Sequence, residues 1–370
     1  MTESTTASSS DLVARIQRFV ASSEGDFETL ALESFAFQYE RIESFRRLCD
    51  GRGVRPGDTA SWREVPQVPA SAFKSLALHA ASPQVTFKTS GTTQGEEHRG
   101  VHHHPFPDLY RAVIDASFPR FCLPGTDRLP LLSLIPSAEQ VPDSSLSFMI
   151  DHVLERFGDE GSAAVFGKSR VELPKARSWL GARQRDNRPG MILATGFTLV
   201  QLLDGLERMG LRFRLPPGSA LFETGGLKGR TREISRADLL ARVGTHLGIP
   251  AQRVVSEYGM TELTSQCYTR TLLEPLDDGG DPTAFVAPPW MRVRILDPET
   301  LEEVPECEGK GEGGLGLISI FDLANVGSAV HVLTEDLGRP APGGGFHLVG
   351  RAAGAELRGC SLTVEEMGVG

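Results

Sequence analysis

Short apolar runs alternate with stretches of helical apolar spacing between residues 85 and 256, and this alternation limits the chain to few folds. Each apolar run has the length of a buried strand, and each intervening stretch has the periodicity of an amphipathic helix. Strands that alternate with helices pack as an α/β sheet with helices on its faces. The predicted strands are 85–89, 131–135, 191–194, 220–222 and 254–256, and the clearest predicted helices are 144–157, 198–209 and 235–247.

The two ends of the chain have different patterns. Residues 1–10 are rich in Ser and Thr and predict a disordered tail, whereas residues 11–49 carry apolar side chains at helical spacing. Beyond Pro288 the apolar runs are short and strand-like, and the glycines at 343–345 indicate a tight turn. The sequence therefore predicts α/β sheets flanked by helices, followed by a small C-terminal β-rich subdomain.

Charge and cysteine usage exclude several classes of function. The chain has 370 residues and a formal net charge of −10, which argues against nucleic acid or an anionic membrane as the main partner. The five cysteines are scattered, odd in number and without a C-x-x-C pair, which favours reduced thiols over disulfides or a zinc site. Without a visible signal peptide or an apolar run of about 20 residues, we expect a cytoplasmic protein with no transmembrane segment.

Three polar segments follow predicted strands and contain the residue types that bind nucleotides. The first is S-G-T-T, formed by Ser90, Gly91, Thr92 and Thr93, in which hydroxyls and backbone N–H groups can surround phosphate oxygens. Neither the P-loop pattern nor G-x-G-x-x-G is present, so an ordinary polar turn is the alternative interpretation.

The second segment, residues 256–262, contains Tyr258, Thr261 and Glu262 at the carboxyl end of a predicted strand, where active sites of α/β sheets lie. A Tyr ring can cover adenine, a Thr hydroxyl can reach the α-phosphate, and a Glu can hold Mg²⁺. The third, residues 334–339, contains Asp336, whose carboxylate can accept hydrogen bonds from ribose hydroxyls, with Arg351 further on. The alternative interpretation of the second segment is a capped loop. The alternative for the third is a surface turn with an ion pair that contributes little to stability.

Taken in order, S-G-T-T, then Y-G-x-T-E, then D-x-G and G-R, these segments resemble the adenylate-forming (ANL) superfamily. Further segments make the chain similar to the acyl-protein synthetase (LuxE-type) family, whose members supply the fatty-acid ligase of bacterial luminescence reductase complexes. The resemblance covers about residues 87–362, and its additional segments are 223–230, 263–266, 288–291, 322–325 and 357–360.

The resemblance implies a role for each matching residue. It implies that Ser90, Gly91, Thr92 and Thr93 bind the phosphates of ATP. It also implies that Tyr258 stacks on adenine, Thr261 contacts the α-phosphate or the acyl carbonyl, and Glu262 binds Mg²⁺. Asp336 is implied to bind the ribose, with Arg351 nearby, and Gly225 and Gly226 to lie against the adenine and the acyl pocket.

The family also implies a covalent step at Cys360, the position that matches its acyl-accepting cysteine. A thiolate attacks an acyl-adenylate readily, and Arg358 two residues away would favour the thiolate. The alternative is a buried structural cysteine. The resemblance implies ATP-dependent activation of a carboxylic acid, with a long-chain fatty acid as the substrate. The acyl group would then pass to Cys360 and onward to an acyl-reductase or acyl-carrier partner.

The chain departs from the superfamily at two places. Gln94 precedes the glycine that usually follows T-T, and no Lys follows it before His98. The chain also ends soon after Arg351, so we expect no full-length mobile lid domain. The predicted domains are an adenylate-forming catalytic domain over residues 11–340 and a short C-terminal segment over 341–370 that carries the acceptor cysteine. Lys228 and Arg230 are candidates, by position, for the cation that a lid lysine would supply.

Two rival functions and one motif stay open at this point. An acyl- or aryl-CoA ligase or a carrier-protein ligase would not need Cys360, and a non-catalytic scaffold would not bind ATP. The stretch His102–His104 predicts a solvated loop, with His102 alone kept as a phosphate-side candidate.

Overall fold

The computed structural model describes residues 9–90, 99–225, 234–273, 275–276, 280–306, 313–352, 363–364 and 366–368. Eight α-helices lie within these residues: α1 (Ser9–Ser22), α2 (Phe27–Arg41), α3 (Glu43–Gly51), α4 (Pro107–Cys122), α5 (Ser145–Phe157), α6 (Leu173–Asp186), α7 (Gly196–Arg208) and α8 (Arg236–Leu247). None of the helices in the described residues is both long and apolar enough to cross a membrane.

Sixteen strands lie within the same residues. They are β1 (Val68–Pro69), β2 (Val85–Lys88), β3 (Val101–His104), β4 (Leu131–Ser133), β5 (Ala163–Ala164), β6 (Phe166–Gly167), β7 (Arg170–Val171), β8 (Met191–Thr195), β9 (Ala220–Thr224), β10 (Val254–Tyr258), β11 (Cys267–Thr269), β12 (Phe285–Val286), β13 (Met291–Leu296), β14 (Gly316–Asp322), β15 (His331–Pro340) and β16 (Phe346–Arg351).

The chain divides into two compact units. Unit 1 contains residues 1–116, 260–266 and 286–370, and unit 2 contains residues 117–259 and 267–285. Each unit contains paired strands and buried apolar residues.

Unit 2 is built on parallel strands. β5, β4, β8, β9 and β10 lie side by side in parallel, and β11 is added antiparallel to β10. Its core contains side chains from the strands and from α6, α7 and α8, such as Ile192, Leu203 and Val243. Strands covered by helices are apolar on both faces, which explains why the sequence of β8 is a continuous apolar run. The βα alternation predicted from the sequence is therefore confirmed in this unit.

Local capping signals determine where the helices of unit 2 begin and end. The hydroxyl oxygens of Ser144 and Ser235 accept hydrogen bonds from the backbone N–H groups three residues later, at the first turns of α5 and α8. Gly248 ends α8 with a left-handed φ of 72°, a conformation that costs a glycine little. These boundaries agree with the predicted ones.

Unit 1 is built on antiparallel strands. β13, β14, β15 and β16 follow one another in an antiparallel meander, and β1 pairs in parallel with β15. This arrangement confirms the predicted β-rich region beyond Pro288, and the predicted turn at 343–345 joins β15 to β16 with three positive φ angles. α1, α2 and α3 supply the helices predicted over residues 11–49. Residues 1–8 of the predicted tail lie outside the described residues.

Two predictions of local structure are wrong in unit 1. Residues 101–104 form strand β3, which pairs antiparallel with β2, rather than a solvated loop. Side chains alternate along a strand, so His102 and His104 are both buried while His103 is only half-buried. Residues 334–339 lie inside the ten-residue strand β15 rather than in a loop, because β16 supplies pairing partners for its second half.

Candidate active site

The base of the first polar segment lies close to Glu262. At the loop end of the β2–β3 hairpin, the Thr89 N–H donates to the Gly100 carbonyl oxygen at 2.9 Å, and Thr89 Oγ1 accepts the Gly100 N–H at 2.8 Å. A methyl group placed on Gly100 would lie 3.6 Å from Oε1 of Glu262. Ser90 is exposed beside this junction, whereas Gly91, Thr92 and Thr93 lie outside the described residues.

The backbone of residues 261–265 is held by side chains from other parts of unit 1. His102 Nδ1 lies 2.7 Å from the carbonyl oxygen of Thr261, and Asn325 Nδ2 donates to the carbonyl oxygen of Glu262 at 2.9 Å. The carboxylate of Asp322 accepts from the backbone N–H groups of Thr264, at 3.1 Å, and Ser265, at 2.7 Å. Because these partners are buried, we conclude that the Thr261–Ser265 segment has one defined conformation.

Glu262 is a buried carboxyl group that interacts electrostatically with three other charged residues of unit 1. Its side chain is buried, and burial raises the pKa of the carboxyl to about 7. Arg351 lowers this pKa and the carboxylates of Glu335 and Asp336 raise it, so all three charges lie near enough to act on Glu262. A divalent cation beside these carboxylates would favour the ionised form of Glu262.

Asp336 and Arg351 are direct neighbours on paired strands. They are register partners of β15 and β16, and Arg351 Nε lies 3.6 Å from Asp336 Oδ1. The same guanidinium lies 3.8 Å from Glu335 Oε2 and is half exposed. Asp336, predicted as the ribose contact, and Arg351, predicted to lie near it, therefore form an ion pair, and both act electrostatically on Glu262.

The histidines of β3 have a different environment from the predicted one. Nδ1 of His102 must carry its proton, because a carbonyl oxygen only accepts hydrogen bonds. Burial lowers the pKa of His102 to about 4, so the ring is neutral at pH 7. His104 Nε2 lies 3.0 Å from Thr264 Oγ1 and its pKa is also lowered by burial. His102 thus contacts the backbone of the predicted catalytic segment.

Sequence reasoning missed Asn325 and Asp322 as parts of this site. Asn325 Oδ1 also accepts the Thr264 hydroxyl at 2.9 Å, and Asp322 Oδ1 accepts the Ser265 hydroxyl at 2.7 Å. The only signal was the resemblance of residues 322–325 to the acyl-protein synthetase family, and it gave no role for them.

In unit 2, further predicted residues lie at the carboxyl ends of the parallel strands. Thr224 and Glu257 are register partners at the ends of β9 and β10, and Gly225 and Tyr258 each follow directly. Tyr258 is buried, with its ring centroid 5.9 Å from that of Phe285. Gly225 has a φ of 68°, a left-handed conformation that favours glycine.

Two buried carboxyl groups accompany these strand ends. Burial raises the pKa of Glu257 to about 7, although the hydroxyl of Thr224 donates to its carboxylate and opposes the shift. Glu223 accepts the hydroxyl of Ser256 at 2.9 Å and forms an ion pair with Arg236. The strand ends are thus polar and hydrogen-bonded within unit 2.

The predicted acceptor cysteine lies outside the described residues, as do Gly226, Lys228 and Arg230. Three other cysteines, Cys49, Cys122 and Cys267, are buried free thiols. Burial raises the pKa of Cys49 to about 12 and that of Cys122 well above its ordinary value. A thiol nucleophile needs a lowered pKa, so these two are structural residues.

Residues 182–367 match the family described as Acyl-protein synthetase, LuxE. This match covers just over half of the 370 residues. The chain belongs to this family. It is 21% identical over 355 residues to the long-chain-fatty-acid–luciferin-component ligase of Aliivibrio fischeri, and the alignment covers 91% of this chain and 87% of that protein. Family membership supports a ligase that activates a carboxylic acid.

Solved structures of 2-hydroxyisobutyryl-CoA ligase share the fold of this chain. The open conformation of that enzyme, in complex with 2-HIB-AMP and CoA, has a TM-score of 0.57 at 15% identity, covering 92% of this chain and 74% of that one. The structure of its postadenylation state, in complex with R3-HIB-AMP, has a TM-score of 0.57 at 14% identity, and the match covers 92% of this chain and 67% of that one. At this identity the likeness shows the fold alone, and it confirms the predicted α/β fold of adenylate-forming enzymes.

Proposed function

We propose that this acyl-protein synthetase activates a long-chain fatty acid with ATP and passes the acyl group to Cys360. The observation that carries the proposal is the grouping of Glu262, Asp336 and Arg351 in unit 1, because three residues assigned separately from the sequence act on one another electrostatically. The relative from Aliivibrio fischeri supports the choice of acid, since its name specifies a long-chain fatty acid.

The residues present fit a magnesium ion held together with substrate phosphates. No group of three or more His, Cys, Asp or Glu suited to a metal occurs within the described residues, so no all-protein cage is present there. Mg²⁺ in nucleotide sites is held by one or two carboxylates, phosphates and water, and the buried carboxyl of Glu262 supplies such a ligand. Mg²⁺ would neutralise charge on the phosphates.

The first step forms an acyl-adenylate. A carboxylate oxygen of the acid attacks the α-phosphorus of ATP, the bond from that phosphorus to the β-phosphate oxygen breaks, and pyrophosphate leaves. We assign Thr261 to the α-phosphate or acyl carbonyl, and Ser90, Gly91, Thr92 and Thr93 to the phosphates. The protein contributes mainly position and charge neutralisation in such a step.

The remaining assignments concern the nucleoside. We assign the ribose hydroxyls to Asp336, with Arg351 beside it, on the evidence of their ion pair on β15 and β16. On the resemblance, Tyr258 is assigned to adenine, and Gly225 and Gly226 to the edge of the nucleotide and acyl pocket. The place of Tyr258 and Gly225 at the ends of β10 and β9 supports the assignment of these two residues. The catalytic domain is proposed to run from residue 11 to 340.

The second step moves the acyl group to sulfur. The Cys360 thiolate attacks the carbonyl carbon of the acyl-adenylate, a thioester bond forms, the bond from that carbon to the phosphate oxygen breaks, and AMP leaves. An acyl-reductase or acyl-carrier protein would then accept the acyl group, and the segment 341–370 would carry the thioester.

Acylation of the purified protein tests the proposal. Wild type and Cys360→Ser are incubated with ATP, Mg²⁺ and radiolabelled fatty acids of several lengths, and Cys49→Ser serves as a control for a buried cysteine. We expect hydroxylamine-sensitive label on wild type and on Cys49→Ser, and none on Cys360→Ser. Equal label on Cys360→Ser would overturn the acceptor, and acid-dependent AMP release without label on any variant would move the acceptor to CoA or a carrier protein.

A further inference from the structure

The two peptide units that flank the Cα atom of Glu262 are each held by one buried side chain. His102 donates from Nδ1 to the carbonyl oxygen of Thr261 at 2.7 Å, and Asn325 donates to the carbonyl oxygen of Glu262 at 2.9 Å. A peptide unit is planar, so a hydrogen bond to its oxygen restrains the whole unit. With both units restrained, φ and ψ of Glu262 are fixed, and its Cα–Cβ bond has one direction.

The His102 ring is itself a rigid donor. It is only 1% exposed, its edge packs against the ring of Phe73 at 5.6 Å and 87°, and its centroid lies 5.1 Å from that of His104. β3 pairs with β2 through Phe87, which opposes His102 in the register. Because the ring is held by packing and by the strand, the position of Nδ1 follows from the hairpin.

Asn325 is held just as firmly. Its Nδ2 group also donates to the Ala329 carbonyl oxygen at 2.7 Å, and its Oδ1 accepts the Thr264 hydroxyl at 2.9 Å. Three hydrogen bonds on one buried amide leave it a single orientation. Two rigid donors from distant parts of the sequence therefore converge on one residue.

We propose that His102 and Asn325 are positioning residues that aim the carboxylate of Glu262. The proposal rests on the proposed function, in which this carboxylate holds the magnesium ion of Mg·ATP, and it replaces the sequence-based expectation that His102 contacts phosphate. His102 acts through the backbone of residues 261 and 262, so its removal should impair the response to Mg²⁺ and leave binding of the fatty acid unchanged.

Substitution at His102 has a conservative form and a disruptive form. Asn places an N–H donor at the δ position that Nδ1 occupies, whereas Leu fills the space and donates nothing. His331 provides the matched control, because it is equally buried in unit 1, lies 2.8 Å from the Val65 carbonyl oxygen through Nδ1, and makes no described contact with residues 260–266. His331→Leu should therefore reduce the free energy of unfolding by a comparable amount without affecting the conformation of the Thr261–Ser265 segment.

Two measurements compare His102→Leu, His102→Asn and His331→Leu with wild type. The first is the Mg²⁺ concentration for half-maximal acid-dependent adenylate formation, with KM for the acid measured in parallel. The second is hydrogen exchange of the peptide spanning residues 260–266 in the absence of ligands. We expect His102→Leu to raise the Mg²⁺ concentration for half-maximal activity about tenfold and to speed hydrogen exchange of residues 260–266. His102→Asn should stay close to wild type in both measurements, and His331→Leu should match wild type in both.

The proposal is overturned if His331→Leu raises the Mg²⁺ requirement as much as His102→Leu, or if His102→Asn is as impaired as His102→Leu. Failure of the proposed function gives a different result, in which wild type forms no adenylate with any acid. In that case hydrogen exchange decides alone, and unchanged exchange of residues 260–266 in His102→Leu refutes the positioning role.

Discussion

Removal of the Asp322 carboxylate should destabilise the protein by a predictable amount. The carboxylate is fully buried and accepts from three backbone N–H groups, those of Thr264, Ser265 and Ala324, at 3.1, 2.7 and 3.0 Å. It also accepts the Ser265 hydroxyl at 2.7 Å. In Asp322→Ala the three buried N–H groups lose their acceptor, at a cost of about 2 kcal/mol each, or about 6 kcal/mol together.

Part of that cost is offset because the buried charge is also removed. Burial raises the pKa of Asp322 from 3.8 to about 6, against the effect of its hydrogen bonds, and this corresponds to about 3 kcal/mol when the group is ionised. Wild type loses this stability as the pH rises from 3.8 through about 6, so the full cost of the buried charge is present at pH 7.5. The net expectation for Asp322→Ala is a loss of about 3 kcal/mol in the free energy of unfolding.

Asp322→Asn is the informative comparison. The amide oxygen can face the N–H groups of Thr264 and Ser265, and the amide nitrogen can donate to the Ser265 hydroxyl oxygen. The Ala324 N–H is then left without an acceptor, at about 2 kcal/mol. Removal of the buried charge offsets this cost, so the variant should lie within about 1 kcal/mol of wild type. Urea unfolding at pH 7.5, followed by circular dichroism, measures all three proteins. Equal destabilisation of the Asn and Ala variants, or an Ala variant as stable as wild type, would refute this reasoning.

Three further predictions follow from single side chains. Glu257→Gln should gain about 3 kcal/mol of stability relative to wild type between pH 4.5 and 8, because the raised pKa of about 7 makes wild type lose stability as the pH rises; urea titrations across pH test this, and a constant difference would contradict it. Tyr258→Leu should raise KM for ATP about tenfold and leave KM for the acid unchanged, since the ring is assigned to adenine; equal changes in both constants would exclude that role. Arg351→Ala should cost about 1 kcal/mol of stability or less, because its guanidinium is half exposed although the carboxylates of Glu335 and Asp336 are mostly buried, yet raise KM for ATP; a large loss of stability with normal KM would make Arg351 structural.

The sequence predicted the parallel part of the fold well because its signals are local. β8 and β9 begin with continuous apolar runs, and Ser144 and Ser235 mark helix starts through hydrogen bonds within four residues. The predicted strand 254–256 ends two residues before the end of β10 at Tyr258. Glu257 and Tyr258 are polar, and only their pairing with β9 and β11 places them in the strand.

The errors concern features that depend on partners far along the chain. Three consecutive histidines carry no apolar alternation, and only pairing with β2 makes them a strand with two buried members. Asp336 was identified from its motif, but its place within β15 depends on β16, whose sequence follows it. The roles of Asn325 and Asp322 arise from contacts with residues 57 to 63 positions earlier, a distance at which sequence patterns give no geometry.

Exchange of labelled pyrophosphate into ATP tests the central claim most directly, because it reports adenylate formation without any acyl acceptor. Wild type and Glu262→Gln are assayed with and without Mg²⁺ and with fatty acids of increasing chain length. We predict exchange by wild type only when both a fatty acid and Mg²⁺ are present, and exchange reduced at least about a hundredfold in Glu262→Gln. Absence of exchange by wild type with every acid, or exchange that does not depend on an acid, would contradict the proposal that this acyl-protein synthetase forms an acyl-adenylate.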